Sequence, residues 1–166
     1  TNDDSNTKDS AIQFSGTMNF AGVKITLGEA LSEYTITVWI HPDLLLYSSS
    51  NPIHVNQSFY NNKVIFLTNA FSVKYGPTGF PLQFTSGAVT KTKTEAPTLT
   101  WTQLVIGVNN GNEVLFTTKN NFSFEKITTL SSMNMIYFCN NGYDTMCTGN
   151  WIDAYYSNLR IFNGVA

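Results

Sequence analysis

Charge is scarce in this chain. Aspartate, glutamate, lysine and arginine make up 12% of its 166 residues, about half of what a soluble domain usually carries. Nine basic side chains against eleven acidic ones leave a formal net charge of −2, which excludes the basic footprint that nucleic-acid binding needs. Arg160 is the only arginine, and His41 and His54 are the only histidines. The two cysteines, Cys139 and Cys147, lie far along the chain from both histidines, so the usual spacing of a zinc site, with about three or four converging ligands, is missing. Long apolar runs are missing too. The richest is Leu44-Leu45-Leu46-Tyr47, well short of the roughly 18–20 residues a membrane-crossing helix requires, and no membrane insertion is expected.

Polarity comes instead from 19 Asn, 14 Ser and 21 Thr, while 23 aromatic residues make the chain too hydrophobic to stay disordered. At this length a chain buries roughly 68–70% of its unfolded surface, enough for a sizeable core. The Asn/Ser/Thr bias runs from end to end with no fixed-period repeat, so residues 11–166 read as one domain. Residues 1–10, Thr1 to Ser10, read as a polar arm or linker.

Helical periodicity is almost absent, with one helical turn expected at Gly28-Glu29-Ala30-Leu31-Ser32-Glu33. Elsewhere the pattern is that of short strands. From Tyr34 to His41, Ile36, Val38 and Ile40 alternate with Thr35, Thr37, Trp39 and His41, giving one aliphatic face and one mixed face before Pro42 ends the run. Trp101 to Val108 and Glu113 to Thr118 flank Asn109-Asn110-Gly111-Asn112, a hairpin signal because Asn-Gly tolerates positive φ. Further strands are expected at 11–15, 23–27, 64–67, 71–74, 82–84, 88–92, 135–139 and 157–162, each bounded by Gly, Pro, Asn or Ser. Many short strands at this spacing mean an all-β, two-sheet antiparallel sandwich. Its expected core includes Phe14, Ile36, Val38, Ile40, Leu104, Ile106, Leu159 and Ile161, with Trp39 and Trp101, while Arg160 faces outward.

Four motifs sharpen the fold. The C-terminal run Tyr156-Ser157-Asn158-Leu159-Arg160-Ile161-Phe162-Asn163-Gly164-Val165-Ala166 resembles the closing strand of laminin-G-like, concanavalin A-like jelly-roll domains. Ala11-Ile12-Gln13-Phe14-Ser15-Gly16 resembles their opening strand, and Tyr34 to Pro42 their Trp-centred strand. Trp101 with the hairpin that follows stands where the family has its Trp-initiated hairpin. The resemblance covers about residues 11–166 in the expected order. It implies a jelly-roll fold but no single function, since the same sandwich serves lectins, adhesion modules, structural proteins and glycan hydrolases.

Catalysis finds little support. The hydrolase branch of this superfamily sets carboxylates at alternate positions of one strand so that both point into the groove, and no acid pair here has that spacing. No strand-turn-helix nucleophile elbow is present either. The segment from Asn140 to Tyr156 is richer, with Tyr143, Asp144, Asn150, Trp151 and Asp153 close together. Aromatic rings stack on the apolar face of a pyranose while Asp and Asn fix its hydroxyls, and Asp144, Asp153 and Asn150 offer the hard oxygen ligands that calcium prefers. The competing reading of the same residues is aromatic core packing.

Cys139 and Cys147 are separated by a turn-forming Asn-Asn-Gly stretch that would let the chain double back within disulfide reach. A pair of reduced thiols is the alternative, and the mostly extracellular habit of the resembled family favours the bridge. Asn56 and Asn121 head Asn-Xaa-Ser/Thr triplets where N-glycans could attach. Chance alone would produce about four such triplets in this composition, so the two do not demonstrate secretion.

The expected function is a non-catalytic extracellular or surface binding module that recognises a glycan or protein partner. A structural subunit that self-assembles into a surface filament, coat or matrix is the alternative, and a glycan-active hydrolase stands third. Calcium is the one cofactor these residues would suit.

Overall fold

The computed structural model describes residues 12–14, 22–42, 63–75, 82–87, 89–93, 101–110, 113–117, 125–126, 130–139, 151 and 154–164. These form twelve strands: β1 Ile12–Phe14, β2 Gly22–Leu31, β3 Tyr34–Pro42, β4 Val64–Thr68, β5 Ser72–Tyr75, β6 Leu82–Ser86, β7 Val89–Lys93, β8 Thr102–Asn109, β9 Glu113–Thr117, β10 Glu125–Lys126, β11 Met133–Cys139 and β12 Ala154–Asn163. Every pairing between them is antiparallel. The first sheet runs β1-β12-β3-β8-β9-β10 and the second β2-β11-β4-β5-β6-β7. The chain passes repeatedly from one sheet to the other, as in a jelly-roll sandwich, and this is the fold expected from the alternating pattern.

The strand pattern of the sequence survives with small changes of boundary. Ile36, Val38 and Ile40 of β3 lie at 0–1% exposure, opposite Ile106, Leu104 and Thr102 of β8. The β8–β9 hairpin closes with Asn109 opposite Glu113, and Asn110 takes the left-handed conformation at φ 50° that Asn adopts more readily than most residues. Leu159 and Ile161 are half-buried and pack against the core's rim. Phe14 is in β1, but its side chain lies outside the described residues.

Two expectations are corrected, and one strand was not anticipated. Residues 28–31 are not a helical turn but the end of β2, with the bend at Ser32 and Glu33. Glu and Ala favour helix by only tenths of a kilocalorie, whereas β2 continues past an irregular register, residues 27–30 standing against Asn134 alone, to bring Leu31 opposite Met133 and bury it. The short β10 had no sequence signal, since two charged residues carry no period. Trp39 and Trp101 are half-buried rather than core residues, because Trp39 alternates with the inward Val38 and Ile40 and must face the other way. The polar arm expected at 1–10 lies outside the described residues.

Aromatic contacts cross the core of the second sheet and end on the first. Phe84 stacks on Phe71 at 4.7 Å between centroids, Phe71 meets Phe66 at 6.0 Å, Phe66 meets Phe138 at 5.7 Å, and Phe138 meets Tyr156 of β12 edge-on at 4.9 Å. Tyr156 then donates its hydroxyl hydrogen to the Ile65 carbonyl at 2.6 Å. Ile65 is the extra residue of a bulge in β4, between the pairs Val64–Lys74 and Phe66–Val73, so a hydroxyl from the opposite sheet satisfies an acceptor at the irregular point of the ladder.

Tyr34 is the contrasting case. Its side chain is fully buried and its hydroxyl makes no hydrogen bond to any described residue, and burial raises its phenol well above the ordinary range. Below about pH 10 the phenol stays protonated in both folded and unfolded chains. Above it the unfolded chain ionises while the buried phenol resists, so stability falls as pH rises. Tyr34→Phe is expected to gain about 1 kcal/mol at neutral pH, by removing an unpaired buried hydroxyl, and to flatten the alkaline loss; denaturant melts of both proteins at neutral pH and at about pH 11 check this. Leu104→Ala, at a fully buried position, should cost ~2–5 kcal/mol, and the same truncation at half-buried Ile161 should cost less.

Candidate functional site

The segment singled out by its aromatic and acidic residues starts and ends on one apolar cluster. On the outer side of the second sheet, Tyr137, Cys139 and Trp151 are buried together, with Val64, Leu67 and Met135 packed against them. Trp151 forms a parallel bridge with Val64 at the start of β4, while Cys139 is the last residue of β11. Lys24 places its ammonium 5.7 Å from the Tyr137 ring centre, and the Tyr137 hydroxyl donates to the Met135 sulfur at 3.5 Å. Residues 140–150 therefore leave this cluster at Cys139 and return to it at Trp151.

This placement changes the part assigned to Trp151. At 4% exposure its ring is covered by the cluster and offers no open face for stacking, so it anchors the segment. Tyr143, Asp144, Asn150 and Asp153 lie outside the described residues, as do Asn56 and Asn121. Cys139 is fully buried and disulfide-bonded. The sequence holds one other cysteine, Cys147, which also lies outside the described residues.

A second group of aromatic residues occupies the outer face of the first sheet. His41 lies opposite Tyr155 in the β3–β12 register, and Trp39 lies opposite Ser157 on one side and Gln103 on the other. The His41 ring meets Trp101 edge-on at 5.5 Å and Tyr155 at 6.0 Å. Trp39, His41, Trp101 and Tyr155 are each half-buried. Neighbouring Tyr156 points the other way into the core, as strand alternation demands. Arg160 is exposed on this same face, opposite Thr37.

The sequence contained the signal for this group. Once Ile36, Val38 and Ile40 are taken as the inward row, Trp39 and His41 fall on the outer row, and Leu104 and Ile106 likewise send Trp101 and Gln103 outward. Position within a strong strand points Trp39 and Trp101 to the core, but the parity of the strand sends them to the other face. Among the described residues no three His, Cys, Asp or Glu side chains converge to hold a metal.

The bond at Cys139 makes a direct prediction. Unfolded but unreduced protein should show no alkylatable thiol by intact mass, and reduction should cost about 2.5 kcal/mol, the loop-entropy value for a short closed loop. Two alkylatable thiols before reduction would contradict the bridge.

No known protein-family profile matches this sequence, and no curated protein matches it. Solved structures do match in fold. The receptor binding domain of botulinum neurotoxin C/D mosaic serotype superimposes with a TM-score of 0.63 at 12% identity, over 95% of this chain and 40% of that one. The binding domain of botulinum neurotoxin DC in complex with SialylT gives 0.55 at 13% identity, over 87% of this chain and 37% of that one. A sialidase gives 0.58 at 7% identity, over 91% of this chain and 15% of that one. The chain thus spans less than half the length of each. What it shares with these toxin binding domains is a jelly-roll-like antiparallel β-sandwich.

Proposed function

We propose that this chain is a non-catalytic binding module, extracellular or displayed on a cell surface, that recognises a glycan or protein partner through residues 140–153. The observation carrying this reading is the common anchorage of Cys139 and Trp151 in one buried cluster, which brackets residues 140–150, with Tyr143, Asp144 and Asn150, while Asp153 follows the second anchor. A segment closed at its base loses less entropy on capturing a ligand than one held at a single end. A bridge from Cys139 to Cys147 would shorten the free span further. In this reading Tyr143 supplies the stacking ring, while Asp144, Asn150 and Asp153 supply oxygen donors, the hard ligand set that suits calcium. The likeness to toxin binding domains, one of them solved with SialylT, supports a binding role for the fold. The sialidase match shows the same fold within an enzyme, so the choice against catalysis rests on the acid spacing.

The test is binding of the chain to a glycan array and to candidate surface proteins, repeated for Tyr143→Ala and Asp144→Ala with and without a chelator. Each variant is expected to weaken capture by about tenfold, and a chelator effect lost in Asp144→Ala would assign calcium to the site. Undiminished binding by both folded variants would remove the segment from the site. One observation favours a second reading, a self-assembling structural subunit: among the described strands, ten-residue β2 lies at the edge of its sheet with β11 as its neighbour. An open edge of that length is a template for strand addition, and mass growing with concentration in light scattering would support it.

A further inference from the structure

Arg160 is the only arginine in the chain, and an irregularity in the backbone decides where it points. Between the pairs Ser157–Trp39 and Arg160–Thr37, β12 has two residues where β3 has one. Without the extra residue, Leu159 would stand opposite Thr37 on the outside and Arg160 opposite Ile36 in the core, because a one-residue shift turns every side chain over. The bulge contains Asn158 at φ 49°, in the left-handed region that Asn tolerates and most residues avoid. It brings Arg160 out to the face that carries Trp39, His41, Trp101 and Tyr155, and it returns Ile161 to the core's rim. Bulges re-aim side chains in this way beside binding and catalytic sites.

The surroundings of Arg160 bear on what it could hold. None of the described side chains on this face is acidic, and no described residue forms an ion pair with Arg160. Trp39 is its diagonal neighbour across β3 and β12, about 7–8 Å away between backbones and within reach of long side chains. Guanidinium forks match carboxylates with two parallel hydrogen bonds, and an indole set in a sheet stacks on the C–H face of a pyranose. Thr37 and Gln103, both half-buried beside Trp39, add a hydroxyl and an amide for the sugar's own hydroxyls. We propose that this face binds a carboxylate-bearing sugar, Arg160 holding the acid and Trp39 lying beneath the ring. It shares no residue with the 140–153 segment.

The test uses the full chain with sialyllactose and an oligogalacturonate as probes, and lactose and the methyl-esterified oligogalacturonate as neutral counterparts, read by calorimetry and tryptophan fluorescence. At least one acidic probe should bind, its neutral counterpart about tenfold or more weakly. Arg160→Gln should lose the same factor with an unchanged melting temperature, as befits an exposed side chain, and Arg160→Lys should fall between. Trp39→Ala should weaken both acidic and neutral probes. Failure of both acidic probes to bind, equal binding of a neutral counterpart, or wild-type affinity in Arg160→Gln would each overturn the assignment. So would equally tight binding of a polyglutamate peptide, which would make the face a general anion surface. Loss of binding in Tyr143→Ala with none in Arg160→Gln would place sugar recognition on the 140–153 segment and overturn the proposal for this face.

Discussion

Strand alternation governs this molecule, and β12 departs from it once. In a sandwich each strand has one face committed to the core, so side-chain identity at every second position is fixed by burial. β12 lies between β1 and β3 and carries Tyr156 inward, Tyr155 and Arg160 outward, and Ile161 inward again. A strict period of two cannot place 156 and 161 on one side, since they differ by an odd number. The bulge at 158–159 supplies the missing step. Core and outer face therefore both depend on one extra residue, and the left-handed backbone at Asn158 is the conformational cost of having both.

The two sheets are held together by apolar burial supplemented by one directed tie. Phe66, Phe71, Phe84 and Phe138 form a run of ring contacts on the second sheet that Tyr156 extends to the first. Its hydroxyl reaches the Ile65 carbonyl, where β4 itself bulges. A backbone group freed from its ladder in a dry interior would carry a desolvation penalty, so bulge and hydroxyl compensate one another. Asn69 does similar work on the more exposed side of the second sheet. Its side-chain oxygen accepts from the amides of Asn134 and Met135, and its amide donates to the Ser132 carbonyl, next to the irregular register between Met133 and Met135.

A chain with so little charge supplies little long-range electrostatic steering. The buried cluster at Cys139 and Trp151 and the open group at Trp39 and Arg160 lie on the outer sides of opposite sheets. The same residue type, tryptophan, serves as an anchor in one and a half-open surface in the other. The difference comes from what surrounds each ring, since Trp151 is covered by Tyr137, Cys139, Val64 and Leu67 whereas Trp39 has the small or polar neighbours Ser157 and Gln103.

The sequence by itself determined the all-β sandwich, the inward row Ile36, Val38 and Ile40, the Asn-rich hairpin turn and most strand positions, because alternation and turn chemistry are local properties written into neighbouring residues. The flanks Leu159 and Ile161 pointed Arg160 outward, but the bulge at 158–159 is what turns it there. The sequence did not determine that residues 28–31 extend a strand, since what closes that strand is Leu31 meeting Met133 of distant β11. Nor did it show that Trp151 is covered while Trp39 and Trp101 are half-open, or that Tyr34 buries a hydroxyl and Tyr156 finds an acceptor in Ile65, 91 positions away. Those outcomes depend on which strands become neighbours and where a ladder slips by one residue. Only the tertiary structure decides them, because exposure and hydrogen-bond partnership belong to pairs of distant residues rather than to either one alone.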